Sequence, residues 1–159
     1  MILVVGGAAA GKRAYVESLG YTAAQMADST DMPRVGDARD ERRRLAAALA
    51  DGRPVLLNLH ELVFAHPSAF TETAAATESA AVTDSAAAAE PNEPAADLFA
   101  ALLAKEVITC DEVGSGVIPA TREERDAREA TGRLACRLAA KAERVVRIIA
   151  GIPVVLKEA

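Results

Sequence analysis

The feature that most constrains the fold of this chain is a short apolar run that leads directly into a glycine-rich turn. Residues 2–5, ILVV, are typical of a strand buried in a parallel sheet. Residues 6–12, GGAAAGK, fit the pattern G-x-x-x-x-G-K, and a helical segment from residue 12 to about residue 19 follows them. This order of strand, turn and helix predicts a phosphate-binding loop, with a structural turn rich in small residues as the simpler alternative.

The parts of this motif have separate roles in holding phosphate. Small residues let backbone N–H groups turn inward, and the first turn of the helix adds partial positive charge. The candidate nucleotide-binding residues are the consecutive positions Gly6, Gly7, Ala8, Ala9, Ala10, Gly11, Lys12 and Arg13. Lys12 is also a candidate catalytic residue, because its ammonium group reaches the outer phosphates. A dinucleotide fingerprint, G-x-G-x-x-G, is disfavoured because position 8 is alanine.

Arg13 departs from the phosphate-loop pattern. The residue after the lysine is usually Ser or Thr, whose hydroxyl group holds Mg²⁺. Arginine cannot ligate a metal ion, although its charge can replace part of the neutralisation that the ion provides. We therefore expect nucleotide binding to survive this change more easily than catalysis.

Charge and apolar patterning exclude several classes of protein. The chain has 159 residues, which suits one domain, and it carries 18 Lys and Arg against 23 Asp and Glu, a net charge of −5. This balance argues against a nucleic-acid partner, which needs a basic face to neutralise phosphates. No apolar run approaches the roughly 20 residues of a membrane span, and the N-terminus lacks a signal-peptide pattern. We expect a cytoplasmic protein with no membrane partner; its two cysteines form neither a disulfide framework nor a metal-binding spacing.

Predicted strands and helices alternate along the rest of the chain. Apolar runs predict four further strands, at residues 55–59, 106–110, 145–149 and 154–156. Helix formers and capping residues predict three further helices, at residues 38–50, 96–105 and 121–143. Residues 28–37 are rich in turn formers. The predicted fold class is α/β, a P-loop nucleotide-binding domain with a mostly parallel sheet flanked by helices.

The helix predicted at 121–143 has the clearest local signals. Thr121 and Glu124 form a capping-box pattern at its start. Five residues at helical spacing predict its buried face: Ala127, Thr131, Leu134, Leu138 and Ala142. Its exposed side is expected to pair Glu124 with Arg128, and Glu129 with Arg133, at i,i+4.

Residues 71–96 differ in kind from the rest of the chain. They hold eleven alanines, five acids and no base, and Val82 is their only large apolar residue. Such a segment buries too little surface to offset its ordering entropy, so disorder is expected, with a solvated alanine-rich helix at 74–89 as the alternative. We expect one domain over residues 1–159, interrupted by this segment and able to fold without it. Outside the segment the chain has no net charge.

Both ends of the chain resemble one protein family. The start MILVVGGAAAGK and the stretch DEVGSGVIPATREERDAREATGRLACRLAAKAERVVRIIAGIPVVLK resemble the adenosylcobinamide kinase / adenosylcobinamide-phosphate guanylyltransferase family of cobalamin biosynthesis. The resemblance covers about residues 1–20 and 106–157, with a weaker echo at 38–60. It implies a parallel-sheet P-loop fold, a homo-oligomer in the form of a trimer, and phosphorylation of cobinamide by GTP or ATP. Family members then join GMP to the product through a guanylylated histidine.

The most specific matching residues follow the strand predicted at 106–110: Glu112, Gly114, Gly116 and Pro119, then Arg128, Gly132 and Arg133. Glu112 opens a loop at the sheet edge where α/β proteins bind ligands, which makes it a candidate catalytic residue and Mg²⁺ ligand. A loop acid that accepts backbone hydrogen bonds is the alternative. Gly114 and Gly116 would let the backbone approach a ligand. The resemblance gives Arg128 and Arg133 a role beside substrate or nucleotide, although both have salt-bridge partners in the sequence.

Several positions depart from the family pattern. The guanylylated histidine falls on Leu49, two residues before the segment DGRP at 51–54. The family's acidic residue after the second apolar strand falls on Asn58, which cannot supply a carboxylate for Mg²⁺. Late in the long helix, Ala135 and Cys136 replace Asn-Gln. The resemblance therefore implies a kinase in which guanylyl transfer is lost.

Other polar residues have simpler interpretations. His60 and His66 are six residues apart, a poor spacing for one helical face, so satisfied or exposed histidines are favoured over a ligand or a relocated nucleophile. The arginines at 42–44 are predicted to form a solvated helix face, with phosphate contact as the alternative. Cys110 and Cys136 are predicted to be small packing residues.

Three functional hypotheses follow. The leading one is a nucleotide-dependent kinase that phosphorylates adenosylcobinamide, with GTP or ATP and Mg²⁺ as cofactors and with nucleotide and corrinoid small molecules as partners. The second is a catalytically degenerate nucleotide- or corrinoid-binding protein of the same family. The third is a scaffold without a ligand that is held together by oligomerisation.

Overall fold

The protein is described by a computed structural model that covers residues 1–32, 38–70, 93–113 and 121–158, with the backbone alone at 38–40 and 93–97. The strands in these residues are β1 Ile2–Gly6, β2 Met26–Asp28, β3 Val55–Leu57, β4 Val107–Asp111, β5 Arg144–Ile149 and β6 Ile152–Glu158. The helices are α1 Lys12–Ser18, α2 Ala38–Leu49, α3 Leu59–Ala65, α4 Glu93–Leu103 and α5 Arg122–Lys141. None of these helices is both long and apolar enough to span a membrane.

The six described strands form one sheet in the order β2-β3-β4-β1-β5-β6. The first five are parallel, and β6 pairs antiparallel with β5 across a tight turn. Because β1 lies between β4 and β5, Gly6 at its carboxyl end is in register with Asp111 and Ile148. The mostly parallel α/β fold predicted from the sequence is therefore confirmed, and the carboxyl ends of β1, β2, β3 and β4 meet at one edge.

The core lies on both faces of the sheet, because successive strand residues point to opposite sides. Leu3 is buried with residues of α2, α3, α4 and α5 in the larger cluster. Val4 is buried with Val16 of α1 in the smaller cluster on the other face. The buried sheet explains why its inner strands read as continuous apolar runs.

Helix α5 follows its sequence signals closely. Thr121 accepts a hydrogen bond from the Glu124 N–H and completes the predicted capping box. The five residues predicted to face inward are all buried. Glu129 and Arg133 form the predicted i,i+4 pair. Arg128 donates through Nε to the Val113 carbonyl at 3.2 Å.

The strand prediction fails twice at the edge where the parallel strands end: the strand predicted at 55–59 is too long, and strand β2 is missing from the prediction. The strand predicted at 55–59 stops at Leu57, because Asn58 has a left-handed backbone (φ 59°) and Leu59 begins α3. The turn-rich segment predicted at 28–37 begins with Asp28, which is the last residue of strand β2. Strand β2 has only three residues, too few to give a hydrophobic period.

The boundary of the acidic, alanine-rich segment is also corrected. Helix α4 begins at Glu93 rather than at residue 96, so the last four residues of the predicted disordered segment are helical. Pro94 is compatible with this start, because proline is tolerated in the first turn of a helix. Residues 71–92 lie outside the described part of the chain, and the expectation that they are dispensable stays a prediction.

The prediction of one solvated arginine face on α2 is wrong for Arg42. Arg43 and Arg44 are exposed, but Arg42 is buried and donates through Nε to the Ala69 carbonyl at 3.0 Å. Its guanidinium group thus ties α2 to the chain after α3. His66 lies in the same region, where its Nδ1 is 2.6 Å from the buried Glu41 carboxylate. Its Nε2 is buried and has no hydrogen-bond partner among the described residues, so the predicted satisfied histidine is confirmed at one ring nitrogen only.

The two cysteines differ, and this difference gives a direct test of the fold. Cys110 is buried in β4 as predicted, whereas Cys136 lies exposed on α5 and is not a packing residue. Burial, with a smaller contribution from the Asp111 charge, raises the pKa of the Cys110 thiol to about 12. We expect a thiol reagent at pH 8 to modify one cysteine per native chain and two after denaturation, because only Cys136 presents an accessible thiol. Rapid labelling of both in the native protein, read by mass spectrometry, would contradict the buried position of Cys110.

Candidate functional site

The glycine-rich turn between β1 and α1 is a tight loop held by backbone hydrogen bonds. Ala9 and Gly11 both have left-handed backbones, with φ values of 56° and 97°. The Ala10 N–H donates to the Gly7 carbonyl at 3.2 Å. The turn between β5 and β6 forms one wall of this loop, because the Gly151 N–H donates to the Ala10 carbonyl at 2.9 Å.

Lys12 is the first residue of α1, and its ammonium group is almost fully enclosed. Its Nζ lies 2.5 Å from the Asp111 carboxylate, 2.7 Å from the Gly7 carbonyl and 3.3 Å from the Gly6 carbonyl. The side chain is only 8% exposed. The three acceptors match the three N–H donors of an ammonium group, so Lys12 is held under the loop by strong charge-assisted contacts.

A cavity of about 300 Å³ opens above this lysine at the carboxyl edge of the sheet. Such a volume is at the lower end of the range typical of small-molecule sites. Its lining residues come from the loop, α1 and the ends of three strands: Ala9, Ala10, Gly11, Lys12, Arg13, Asp28, Leu57, Asn58, Thr109 and Asp111. The charged side chains among them are two cations and two carboxylates.

A chain of hydrogen bonds fixes the polar wall of the cavity. The Asn58 N–H donates to Thr109 Oγ1 at 2.9 Å, and Asn58 Nδ2 donates to the Asp28 carboxylate at 3.0 Å. Partial burial opposes ionisation of Asp28, but the hydrogen bonds from Asn58 and Thr30 outweigh it and hold the pKa of this carboxyl below its ordinary value. The charge of Arg13 acts in the same direction. Asp28 therefore faces the cavity as a carboxylate at neutral pH.

His60, near the start of α3, orients the second carboxylate of the cavity. The Asp111 N–H donates to His60 Nδ1 at 3.3 Å, so the ring proton is assigned to Nε2. That nitrogen lies 3.7 Å from the Asp111 carboxylate and 3.3 Å from Glu61. Asp111 is thus held between His60 on one side and Lys12 on the other.

The structure separates the other residues that the sequence nominated. The Glu112 carboxylate lies 2.8 Å from an Arg147 nitrogen, and Glu112 is not among the residues that line the cavity. Arg128 contacts the chain one residue further on, at Val113, and Arg133 pairs with Glu129 on the outer side of α5. Gly114, Gly116 and Pro119 lie outside the described residues, so their expected role stays a prediction.

Sequence reasoning missed Asp28 and Asp111. Asp111 follows an apolar run and is the last residue of β4, so the rule that parallel sheets bind ligands at their carboxyl edge could have found it. Asp28 gave no such signal, because its strand is too short to recognise. Only the pairing of β2 with β3, which sets Asp28 beside Leu57, brings it to the cavity.

A sequence model of the family described as cobinamide kinase / cobinamide phosphate guanyltransferase matches residues 2–156. The chain belongs to this family. No curated protein matches the chain. The cobinamide kinase / cobinamide phosphate guanyltransferase family consists of nucleotide-using transferases of cobalamin biosynthesis, so membership confirms the family resemblance at both ends of the chain and agrees with the phosphate loop.

The resemblance described from the sequence predicts where the guanylylated histidine of the family would fall in this chain. That position is Leu49, the last residue of α2, whose side chain is 2% exposed within the larger core cluster. The segment after it leads into the amino end of β3, whereas the cavity lies at the carboxyl ends of the strands. Leu49 is therefore a core residue, and it is not among the residues that line the cavity.

Proposed function

We propose that this protein is a kinase that transfers the γ-phosphoryl group of GTP or ATP to the alcohol of adenosylcobinamide, and that it does not carry out guanylyl transfer. The observation that carries the proposal is the enclosed ammonium group of Lys12 beneath a loop of the G-x-x-x-x-G-K pattern, at the floor of a cavity of about 300 Å³. Phosphoryl transfer depends mostly on positioning and charge neutralisation, which this arrangement supplies.

In the proposed reaction the loop N–H groups and the start of α1 hold the phosphates, and Lys12 turns from Asp111 toward the outer phosphate oxygens. The acceptor oxygen forms a bond to the γ-phosphorus while the bond from that phosphorus to the β,γ-bridging oxygen breaks. The nucleoside diphosphate leaves with the bonding electrons, and the hydroxyl proton passes to a carboxylate or to water. Glu112, anchored by Arg147 one residue beyond Asp111, is our candidate for orienting the acceptor hydroxyl.

The donors at the cavity fit the Mg²⁺ ion that accompanies nucleotides in P-loop kinases. Asp28 and Asp111 offer carboxylate oxygens and Asn58 an amide oxygen, and oxygen donors are the ones Mg²⁺ prefers. In the described part of the chain no group of three or more His, Cys, Asp or Glu forms a metal cage. Two carboxylates suffice where substrate phosphates complete the shell, and a bound ion would neutralise charge on the β- and γ-oxygens.

Two observations support the loss of guanylyl transfer. The core residue Leu49 occupies the position expected for the nucleophilic histidine and has no nitrogen to attack phosphorus. His60 is the histidine nearest the cavity lining, but its Nδ1 accepts the Asp111 N–H and its Nε2 carries the proton. Neither nitrogen of that ring offers a lone pair to the α-phosphorus in this arrangement.

The experiment is to incubate the purified protein and Mg²⁺ with adenosylcobinamide and either GTP or ATP, and to identify the corrinoid products by mass spectrometry. We expect a product heavier by one phosphoryl group and no GMP adduct when GTP is supplied. A GMP adduct would overturn the claim that guanylyl transfer is lost, and an unchanged corrinoid at high enzyme concentration would overturn the kinase proposal.

Arg13 favours a second candidate, a nucleotide- or corrinoid-binding protein without turnover. Arg13 is among the residues that line the cavity, at the position where a Ser or Thr hydroxyl would normally hold Mg²⁺, and its guanidinium Nε donates to the Glu17 carboxylate at 3.2 Å. Calorimetry distinguishes this candidate from the kinase. Micromolar nucleotide affinity without any phosphorylated corrinoid would favour the binding protein.

We further propose that the protein is a homo-oligomer, with a trimer implied by the family resemblance. We propose that β6 forms part of the interface between its chains. In the described residues β6 is an edge strand, and it exposes Ile152 and Leu156 by 65% and 58%. Exposed apolar edge strands are sites of association between chains.

We expect the double substitution Ile152→Lys and Leu156→Lys to lower the molar mass in solution, measured by light scattering, to that of one chain of 16.5 kDa. Leu19→Lys, at an exposed leucine in the turn after α1, is the matched control, and an unchanged mass in the double variant would contradict the assignment of β6.

A further inference from the structure

The charged side chains at the cavity offer little net attraction to a nucleoside triphosphate. The two cations that line it, Lys12 and Arg13, are matched by two carboxylates, Asp28 and Asp111. Lys12 is in direct contact with Asp111, and Arg13 acts electrostatically on Asp28. A polyanion entering such a site meets little net positive charge and two carboxylates that repel it.

A divalent cation removes this conflict, because it attracts both phosphate and carboxylate oxygens. The two usual protein groups for that ion are missing here, since position 13 is arginine and position 58 is asparagine. Two carboxylates, those of Asp28 and Asp111, line the same cavity as Arg13 and Asn58. Asp28 accepts from Asn58 Nδ2 at 3.0 Å, and Asp111 ends β4, the strand that pairs with both β1 and β3.

Resting on the nucleotide site proposed above, we propose that Asp111 has taken over the metal-binding role in this chain, assisted by Asp28, and that the ion replaces the Lys12 ammonium group at Asp111 when nucleotide binds. In the structure the charge of the Asp111 carboxylate is compensated by the Lys12 ammonium group at 2.5 Å. When Lys12 moves to the phosphates, Asp111 loses that compensation, and a divalent ion restores it. His60 keeps the carboxylate in place during the exchange, because it holds the Asp111 backbone N–H at 3.3 Å.

The proposed exchange of Lys12 for a divalent ion at Asp111 predicts an unusual result for the variant Asp111→Asn. The asparagine keeps an oxygen that can accept from Lys12, but it removes the charge that binds the ion and repels phosphate. We expect wild-type protein to bind a fluorescent GTP analogue at least about tenfold more tightly in Mg²⁺ than in EDTA. For Asp111→Asn this ratio should fall close to one, while the affinity in EDTA stays the same or increases. Asp28→Asn should lower the ratio by less.

Glu61→Gln is the matched control, because Glu61 is an exposed acid beside His60 that does not line the cavity. It should keep the wild-type ratio. Mn²⁺ serves as a second probe, since its electron paramagnetic resonance signal counts bound ions without any turnover. We expect one Mn²⁺ bound per wild-type chain in the presence of GTP and none bound in Asp111→Asn.

The outcomes separate the inference from the proposed function. Wild-type binding that is equal in Mg²⁺ and EDTA, or a wild-type ratio in Asp111→Asn, would overturn the metal role and leave the nucleotide site intact. Equal loss of affinity in both buffers, with a lower melting temperature, would assign Asp111 a structural role and also overturn the inference. If the wild-type protein bound no nucleotide in either buffer, the proposed function would fail together with it.

Discussion

Replacing Lys12 with alanine is expected to lower the rate of phosphoryl transfer by about 10³-fold, the loss typical of removing one group that stabilises charge in a transition state. Lys12 is the cation enclosed under the phosphate loop, and its ammonium group already has the contacts that hold it at the cavity floor. Formation of phosphorylated corrinoid with saturating nucleotide gives the measurement. A rate within a few fold of wild type would mean that the loop does not hold the reacting phosphates.

The same substitution has a structural effect that needs its own control. Removing Lys12 leaves Asp111, which is 18% exposed, without its ion-pair partner, and an unpaired carboxylate of this kind costs about 3 kcal/mol. The double variant Lys12→Ala with Asp111→Asn removes both charges, so its melting temperature should return toward wild type. Its activity should stay at the level of the single variant, which would separate the loss of chemistry from the loss of stability.

Gly6→Ala is expected to have the largest effect on the shape of the loop. A Cβ atom at Gly6 would lie 2.6 Å from the backbone carbonyl oxygen of Ile148, and that oxygen belongs to β5, the strand paired with β1. Neither strand can move aside without disturbing the sheet. We expect a loss of about 2 kcal/mol in the free energy of unfolding, and a melting temperature lower by about 6 °C. Nucleotide binding should weaken strongly, because the loop begins at this residue.

The neighbouring glycine offers the matched control. A Cβ at Gly7 meets no atom within 4 Å, and its backbone does not require glycine. Gly7→Ala should therefore change the free energy of unfolding by less than about 0.5 kcal/mol. Differential scanning fluorimetry with and without GTP compares the two variants directly. Equal effects at both positions would show that the close approach of Gly6 to β5 is not the cause.

The parts of the fold that the sequence predicts correctly depend on local signals. The capping box at Thr121, the buried face of α5 and the loop before Lys12 each lie within a few turns of chain, where spacing alone decides the outcome. The mostly parallel sheet also follows, since alternating strands and helices leave few other arrangements. Errors appear where tertiary contacts override local preference. The sequence around Arg42 is typical of a solvated arginine. The side chain is nevertheless buried, and it donates hydrogen bonds to carbonyl groups 26 and 27 residues away.

The same distinction between local signals and tertiary contacts applies to the candidate site. Its cation comes from a contiguous motif and is predictable, whereas its carboxylates depend on which strands become neighbours. Asp28 reaches the cavity through the pairing of β2 with β3, and Asp111 through the pairing of β4 with β1. The resemblance instead directed attention to Glu112, one residue later, whose side chain pairs with Arg147. Asp111 is the last residue of β4 and lines the cavity, whereas Glu112 lies just beyond the strand, so a motif match alone does not identify which acid lines the cavity.

The order of the strands bears on how this protein is made on the ribosome. β1 is synthesised before the other described strands, but its two neighbours in the sheet are β4 and β5, which begin at residues 107 and 144. The phosphate loop then waits for the next turn as well, since the Ala10 carbonyl is bonded by the N–H of Gly151. Contacts across such long separations form late, because the chain between them must first be closed into a loop. The phosphate-binding motif therefore leaves the ribosome before the elements that complete it, and a nascent chain that stops short of residue 151 has this motif without the wall formed by the β5–β6 turn.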